Sequence, residues 1–124
     1  MNIRIHRIDK KVDARGELVV FKDYSADSFG QIYFVSFNGS GISRGNHYHK
    51  KWKEWFGVVT GRIRVDLEDV FTGAKDSFVL CSSTTDYWVI EICPYIKHTF
   101  TSLSDDAILL NYASGKWDKE DDYK

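Results

Sequence analysis

Proline occurs once and cysteine twice in 124 residues, and no charge sign prevails, with 17 Lys and Arg against 18 Asp and Glu. A single proline leaves no Pro-rich linker along which to divide the chain. The two cysteines, Cys81 and Cys93, lie in apolar segments without C-x-x-C spacing. They read as reduced core thiols, not as a disulfide framework or a zinc knuckle. A formal charge of -1 denies the chain the broad positive field that non-specific nucleic-acid binding needs, so DNA and RNA are not expected partners. No apolar run approaches the about 20 residues of a membrane span. The start, Met1 to Lys11, breaks its apolar residues with charge too often for a signal peptide, and a cytoplasmic protein is expected. A convincing helical period of ten or more residues is missing as well.

Aromatic residues are abundant: 8 Phe, 7 Tyr and 4 Trp, within 43% hydrophobic composition. A chain of this size buries about two-thirds of its unfolded surface, which predicts one domain over residues 1–124 with one core and a polar tail at 116–124. Period-two alternation dominates. In Arg62-Ile63-Arg64-Val65-Asp66-Leu67-Glu68 the aliphatic residues share one face and the charged residues the other, the pattern of a half-buried strand. Similar runs occur at Ile3 to Ile8, Leu18 to Phe21, Ile32 to Phe37, Trp55 to Val59, Phe78 to Cys81, Tyr87 to Ile92, His98 to Leu103 and Ile108 to Tyr112. Turn signals separate them at Asp13-Ala14-Arg15-Gly16, Asn38-Gly39-Ser40-Gly41, Thr60-Gly61, Thr72-Gly73 and Ser104-Asp105-Asp106. The reading is all-β: a small antiparallel barrel or jelly roll, closed or built of two sheets.

The chemistry concentrates between Gly41 and Gly61. His47 and His49, two apart on a strand, would send both imidazoles from one face, and Glu54 opens the next strand where it can point back at them. His98, four residues after Pro94, can close the group from a late strand.

Gly41-x5-His47-x-His49-x4-Glu54-x6-Gly61 resembles the first signature of the cupin superfamily at every position, and Pro94-x3-His98 is a shortened form of the second. The flanks narrow the resemblance. Asp13-Ala14-Arg15-Gly16-Glu17-Leu18, Tyr33, Arg44-Gly45-Asn46-His47-Tyr48-His49-Lys50-Lys51, Ala113-Ser114 and the acidic stretch from Trp117 to Tyr123 are similar to cupins acting on nucleotide-linked 4-keto-6-deoxy sugars. These are the dTDP-4-keto-6-deoxyglucose 3,4-ketoisomerases, the dTDP-4-dehydrorhamnose 3,5-epimerases and the C-terminal cupin domain of capsular-polysaccharide enzymes that epimerise a UDP-4-keto sugar. The ketoisomerases carry glutamine where this chain has Glu54 and are regarded as metal-free; the capsular cupin keeps the glutamate and binds zinc.

The resemblance implies a nucleotide-sugar isomerase or epimerase that removes the C3 proton of a dTDP- or UDP-linked 4-keto-6-deoxyhexose, for a surface polysaccharide or deoxysugar glycoside. Such chemistry needs a base of near-neutral pKa, a donor for the developing oxyanion and an acid where the proton returns. His47 and His49 have the right pKa for base and acid, and the resemblance puts the base on His47. Tyr33 is a candidate donor to the sugar oxygen. Arg15 and Arg44 suit the pyrophosphate, because a guanidinium pairs two oxygens at once. Trp52 and Trp55 offer flat faces to a nucleotide base or a partner subunit, and Trp55 reads as packed, in the core or across a dimer interface. Proton transfer requires no redox cofactor. A divalent metal, zinc by the capsular resemblance, would take His47, His49, Glu54 and His98, and a metal-bound His47 cannot also be the base, so the role would pass to bound water or Tyr33. A homodimer is implied. The rivals are a metal-dependent cupin acting on another small molecule and a sugar- or nucleotide-binding cupin without catalysis. His6 reads as structural, Lys50, Lys51 and Lys53 as a solvated charge run, and Asp105-Asp106 as a turn that could lend an acidic partner to a catalytic histidine.

Overall fold

The computed structural model describes residues 1–22, 30–115 and 118–124; of the expected polar tail, Lys116 and Trp117 lie outside the described residues. The strands are β1 (Ile3–Asp9), β2 (Lys11–Asp13), β3 (Gly16–Leu18), β4 (Gln31–Ser36), β5 (Ser43–His47), β6 (Glu54–Thr60), β7 (Arg62–Asp69), β8 (Lys75–Cys81), β9 (Asp86–Ile92), β10 (Ile96–Ser102) and β11 (Ile108–Ala113). They form a five-stranded sheet in the order β1-β9-β6-β11-β4, a four-stranded sheet in the order β5-β10-β7-β8, and the separate hairpin β2-β3. Every pairing is antiparallel. Of the two forms expected, this is the jelly roll of two facing sheets and not a closed barrel. Among the described residues, no helix is long and apolar enough to cross a membrane.

Alternation explains the layers. Ile63, Val65 and Leu67 of β7 turn inward and are 0%, 0% and 3% exposed, meeting Phe56, Val58, Ile90, Ile92 and Leu109 from the other sheet. Each such side chain contributes roughly 1.5–3 kcal/mol on leaving water. The outer face of the five-stranded sheet carries a second, aromatic layer of Trp55, Tyr87, Val89 and Tyr112, roofed by Val19 and Phe21. The expected strand over Leu18 to Phe21 is met only at its first residue: pairing stops at Leu18, and Val19 and Phe21 pack over the sheet as cover instead of joining it. At the β6-β7 turn Gly61 has φ 79°, and a Cβ there would lie 2.4 Å from Ser104 Oγ, so only glycine closes this hairpin without strain.

Both cysteines are half-buried instead of core. Trp55 packs within the chain, one of the two placements expected for it, and Trp52, expected to offer a flat face to a base or a partner, is buried as well: each is 5% exposed. Trp52 stacks on the His49 ring at 4.4 Å, and Trp55 donates from Nε1 to Glu91 Oε1 at 3.1 Å. Large flat rings leave water wherever the fold offers an apolar face.

Candidate active site

His47 ends β5, directly opposite His98 of β10, and a bulge between His98 and Thr99 breaks the ladder there. Asn46 is left-handed, φ 60°, and Gly45, φ 89°, would push a Cβ to 2.9 Å from the His98 carbonyl oxygen. The strand geometry first expected for the histidine pair is thus interrupted after His47. Tyr48 makes a lone bridge to Tyr123, and His49 turns into the core, 5% exposed. The imidazoles converge all the same. Ring centroids are 4.8 Å apart for His47 and His49, and 4.9 Å for His47 and His98. One ring nitrogen from each of the three histidines lies within 4.8 Å of the others.

Glu54, the first residue of β6, is 3% exposed and uses both carboxylate oxygens. Oε1 pairs with His49 Nε2 at 3.1 Å. Oε2 accepts from the Tyr33 hydroxyl at 3.3 Å and from Asn111 Nδ2 at 3.0 Å. His98 Nε2 stands 3.6 Å from Oε1, beyond hydrogen-bonding reach, and is a buried nitrogen without a partner.

Each histidine is fixed through its other nitrogen. His47 Nδ1 lies 3.1 Å from Asp122 Oδ1, His49 Nδ1 bonds the Asp121 carbonyl, and His98 Nδ1 lies 3.0 Å from the Ile96 carbonyl. A carbonyl or carboxylate only accepts, so each Nδ1 carries a proton; the Nε2 atoms of His47 and His98 are left for chemistry, while that of His49 is engaged by Glu54. This is how proteins orient metal-binding histidines. The unpartnered His98 Nε2 facing a buried carboxylate oxygen suits a cation between them, and the His, His, His, Glu donor set suits a divalent ion of the zinc type.

The charges sort themselves by environment. Burial, reinforced by His49, lowers the His47 pKa, although Asp122 and Glu54 partly oppose this, so His47 is neutral at pH 7. Burial would lower His49 too, but the hydrogen bond and charge of Glu54, with the Asp121 carbonyl, raise it overall. Burial pushes His98 down to about 4 despite Glu54. Burial would raise Glu54, but its bond to His49 and the charges of His98 and His49 bring it below the usual carboxylate value. Burial and the adjacent Glu54 charge raise the Tyr33 phenol, which removes Tyr33 as a base and leaves it as a protonated donor.

A cavity of about 390 Å³ opens on this group. Tyr33, Arg44, His47 and His98 line it together with Gln31, and Val35, Phe56, Phe100 and Leu109 form its apolar wall. His49 and Glu54 are not among its lining residues. Arg44 stands at the mouth and donates to the Ser36 carbonyl at 3.2 Å. Arg15 is not brought to this cavity: it projects from the β2-β3 hairpin, 90% exposed, its guanidinium held by Asp13 at 2.6 Å.

Three residues of the group were missed by sequence reasoning. Asn111 is 0% exposed and carries a readable signal, because the alternation of β11 places it inward beside Leu109. Asp121 and Asp122 arrive from the tail by tertiary folding, and their spacing to the histidines is no guide. Asp105 and Asp106 stay in the turn, accepting from Ser40 N at 3.0 Å and from Thr60 Oγ1 at 3.1 Å. The acidic partner of His47 is Asp122 instead.

Fold and site together define a jelly-roll protein of the cupin type with a three-histidine, one-glutamate centre. The chain belongs to the WxcM-like C-terminal (FdtA) family, whose profile matches residues 1–124. A curated relative is the UDP-2-acetamido-2,6-beta-L-arabino-hexul-4-ose reductase of Pseudomonas aeruginosa, 31% identical over 87% of this chain. The chain spans only 28% of that relative's length. Among solved structures, a 3,4-ketoisomerase from Helicobacter canadensis superposes with TM-score 0.83 at 22% identity, covering 98% of this chain and 90% of its own. The dTDP-4-dehydrorhamnose 3,5-epimerase of Bacillus anthracis, with TDP and pyrophosphate bound, gives 0.86 at 15% identity, over 98% and 77% of the two chains. These likenesses establish the shared fold.

Proposed function

We propose that this protein is a nucleotide-sugar isomerase or epimerase that removes the C3 proton of a dTDP- or UDP-linked 4-keto-6-deoxyhexose, for surface polysaccharide or deoxysugar synthesis. The observation that carries the reading is His47: neutral, its Nδ1 proton held by Asp122, its Nε2 free at a cavity that also holds a protonated Tyr33. The C4 ketone acidifies the C3 proton. His47 Nε2 takes that proton, the C3 electron pair moves toward the ketone, and the enediolate oxygen receives a hydrogen bond from Tyr33. Return of the proton to the opposite face of C3 gives the epimer, and return to C4 gives the 3-ketone. No electrons leave the sugar, so no redox cofactor takes part.

His49, beneath the cavity lining, serves as the positive partner of Glu54 and not as the acid that meets the sugar. Arg44 at the mouth suits the pyrophosphate. A divalent ion at the centre would be held by His49, His98 and Glu54 with His47, and would polarise the sugar ketone. The unpartnered His98 Nε2 favours this second reading, in which His47 is a ligand and the base is a different group.

The reading includes a cytoplasmic homodimer. Two cysteines without C-x-x-C spacing accord with a reducing compartment. On edge strand β4, Ile32 and Phe34 are each 68% exposed, and every residue of β2 and β3 is exposed. An unsupported two-stranded hairpin is marginal in water, so a second copy is the natural cover, and Arg15 would reach a site only across that contact.

The test is a proton NMR time course with dTDP- and UDP-4-keto-6-deoxyglucose in D2O. Loss of the C3 proton signal, slowed at least about 100-fold in His47→Ala, is expected, and product shifts separate epimer from 3-ketone. No exchange with either sugar refutes the proposal. Metal retained on purification, with exchange that follows metal content, would select the second reading.

A further inference from the structure

The tail residues 118–124 do something that neither the fold nor the proposed chemistry requires of them. Among the described residues, their polar contacts outside the tail all fall on the five consecutive residues His47 to Lys51. Asp122 holds His47. Tyr123 exchanges both backbone hydrogen bonds with Tyr48, at 2.9 and 3.1 Å. The Asp121 carbonyl accepts from His49 Nδ1. The Asp121 carboxylate accepts from Lys50 N at 3.0 Å and from Lys51 N at 3.1 Å.

Asp121 is the centre of this lacing. It is 0% exposed, and a buried carboxylate costs several kcal/mol unless its oxygens are satisfied. Here two backbone N–H groups satisfy it, in place of a cation. Seating the carboxylate in that turn fixes where the adjoining carbonyl stands, and that carbonyl sets the His49 ring with Nδ1 protonated and Nε2 aimed at Glu54. A side chain that only filled space would need neither bond.

We propose that Asp121 is a positioning residue: its buried carboxylate anchors the tail on the Lys50-Lys51 turn so that its own carbonyl orients His49, making the tail part of the active site. The magnitude of the catalytic effect rests on the isomerase reading; the orientation of the ring does not. Displacing a positioned group by about 1 Å costs on the order of 100-fold in rate.

Asp121→Ala, Asp121→Asn and the parent are compared in two measurements: the C3 proton exchange rate against the dissociation constant for dTDP, and the side-chain 15N spectrum that reports protonation of His49 Nδ1. Asp121→Ala should lose about 100-fold in exchange with dTDP affinity within about threefold, and should lose the protected Nδ1–H signal. Asp121→Asn keeps one accepting oxygen and should recover part of both. If the parent exchanges no proton, the isomerase reading fails alone, and loss of the Nδ1–H signal in Asp121→Ala still supports the positioning role. A retained signal in Asp121→Ala, or a fall in dTDP affinity and melting temperature equal to the fall in exchange, would overturn it.

Discussion

The histidine centre and the β2-β3 hairpin are both polar, and they stand at opposite limits of what one chain can satisfy by itself. At the centre, each histidine Nδ1 and both Glu54 oxygens find partners on other elements, and burial sets which groups carry charge. On the hairpin, all six strand residues are exposed and Arg15 pairs with its neighbour Asp13. A cation–carboxylate pair therefore has different worth in the two places: exposed pairs add little, whereas breaking a buried pair leaves a charge without solvent. The centre is assembled within one chain. The hairpin acquires a purpose only against something else.

Changes at the centre should be severe and changes on the hairpin mild in stability. Glu54→Ala, which strips His49 of its counter-charge and Tyr33 and Asn111 of their acceptor, should lower unfolding free energy by about 3–5 kcal/mol in urea titrations. A loss below about 1 kcal/mol would show that the buried pair is idle.

Acid should follow. His98 is held down to about 4 against an ordinary 6.5, so the unfolded chain binds its proton more readily. The resulting stability is present above pH 6.5 and is lost as pH falls toward 4, by about 3 kcal/mol. His47 and Glu54, also lowered, act in the same direction. His49, raised, acts oppositely, its contribution present below 6.5 and fading as pH rises past its folded pKa. Urea midpoints from pH 7 to 4 measure this, and His98→Gln should flatten the slope.

The outer surface should respond in assembly instead of stability. Phe34→Asp, on the exposed face of β4, should convert a particle of twice the chain mass into one of single mass in sedimentation, with little change in melting temperature. An unchanged mass would move the contact off β4. Smallest in stability is Arg15→Ala, which should leave the urea midpoint where it is. If Arg15 serves a neighbouring copy's site, the variant raises KM for the nucleotide sugar about tenfold with kcat retained; unaltered KM would remove Arg15 from substrate binding.

Much of this was legible beforehand because strand alternation is a local property. Ile63, Val65 and Leu67 announce an inward face, and β7 spans Arg62–Asp69 as the pattern implies. Glycine turns likewise mark Gly61 and Gly73, both with positive φ. β2 and β5 were not legible, since Lys11–Asp13 and Ser43–His47 have too few apolar residues to alternate. Asn111 sat in plain view as a polar residue at an inward position, whereas Asp121 and Asp122 looked like any other acidic tail.

By itself the sequence determined the strand faces and the turns, because these follow from a period of two and from glycine, and it named the four groups that converge, His47, His49, Glu54 and His98, by their side-chain chemistry. Only the tertiary structure decided the balance of charge among them, the upward shift of the Tyr33 phenol, the burial of Trp52 and the recruitment of the tail. Those outcomes depend on desolvation and on contacts between residues far apart in the chain, such as His49 and Asp121, and no local pattern encodes them.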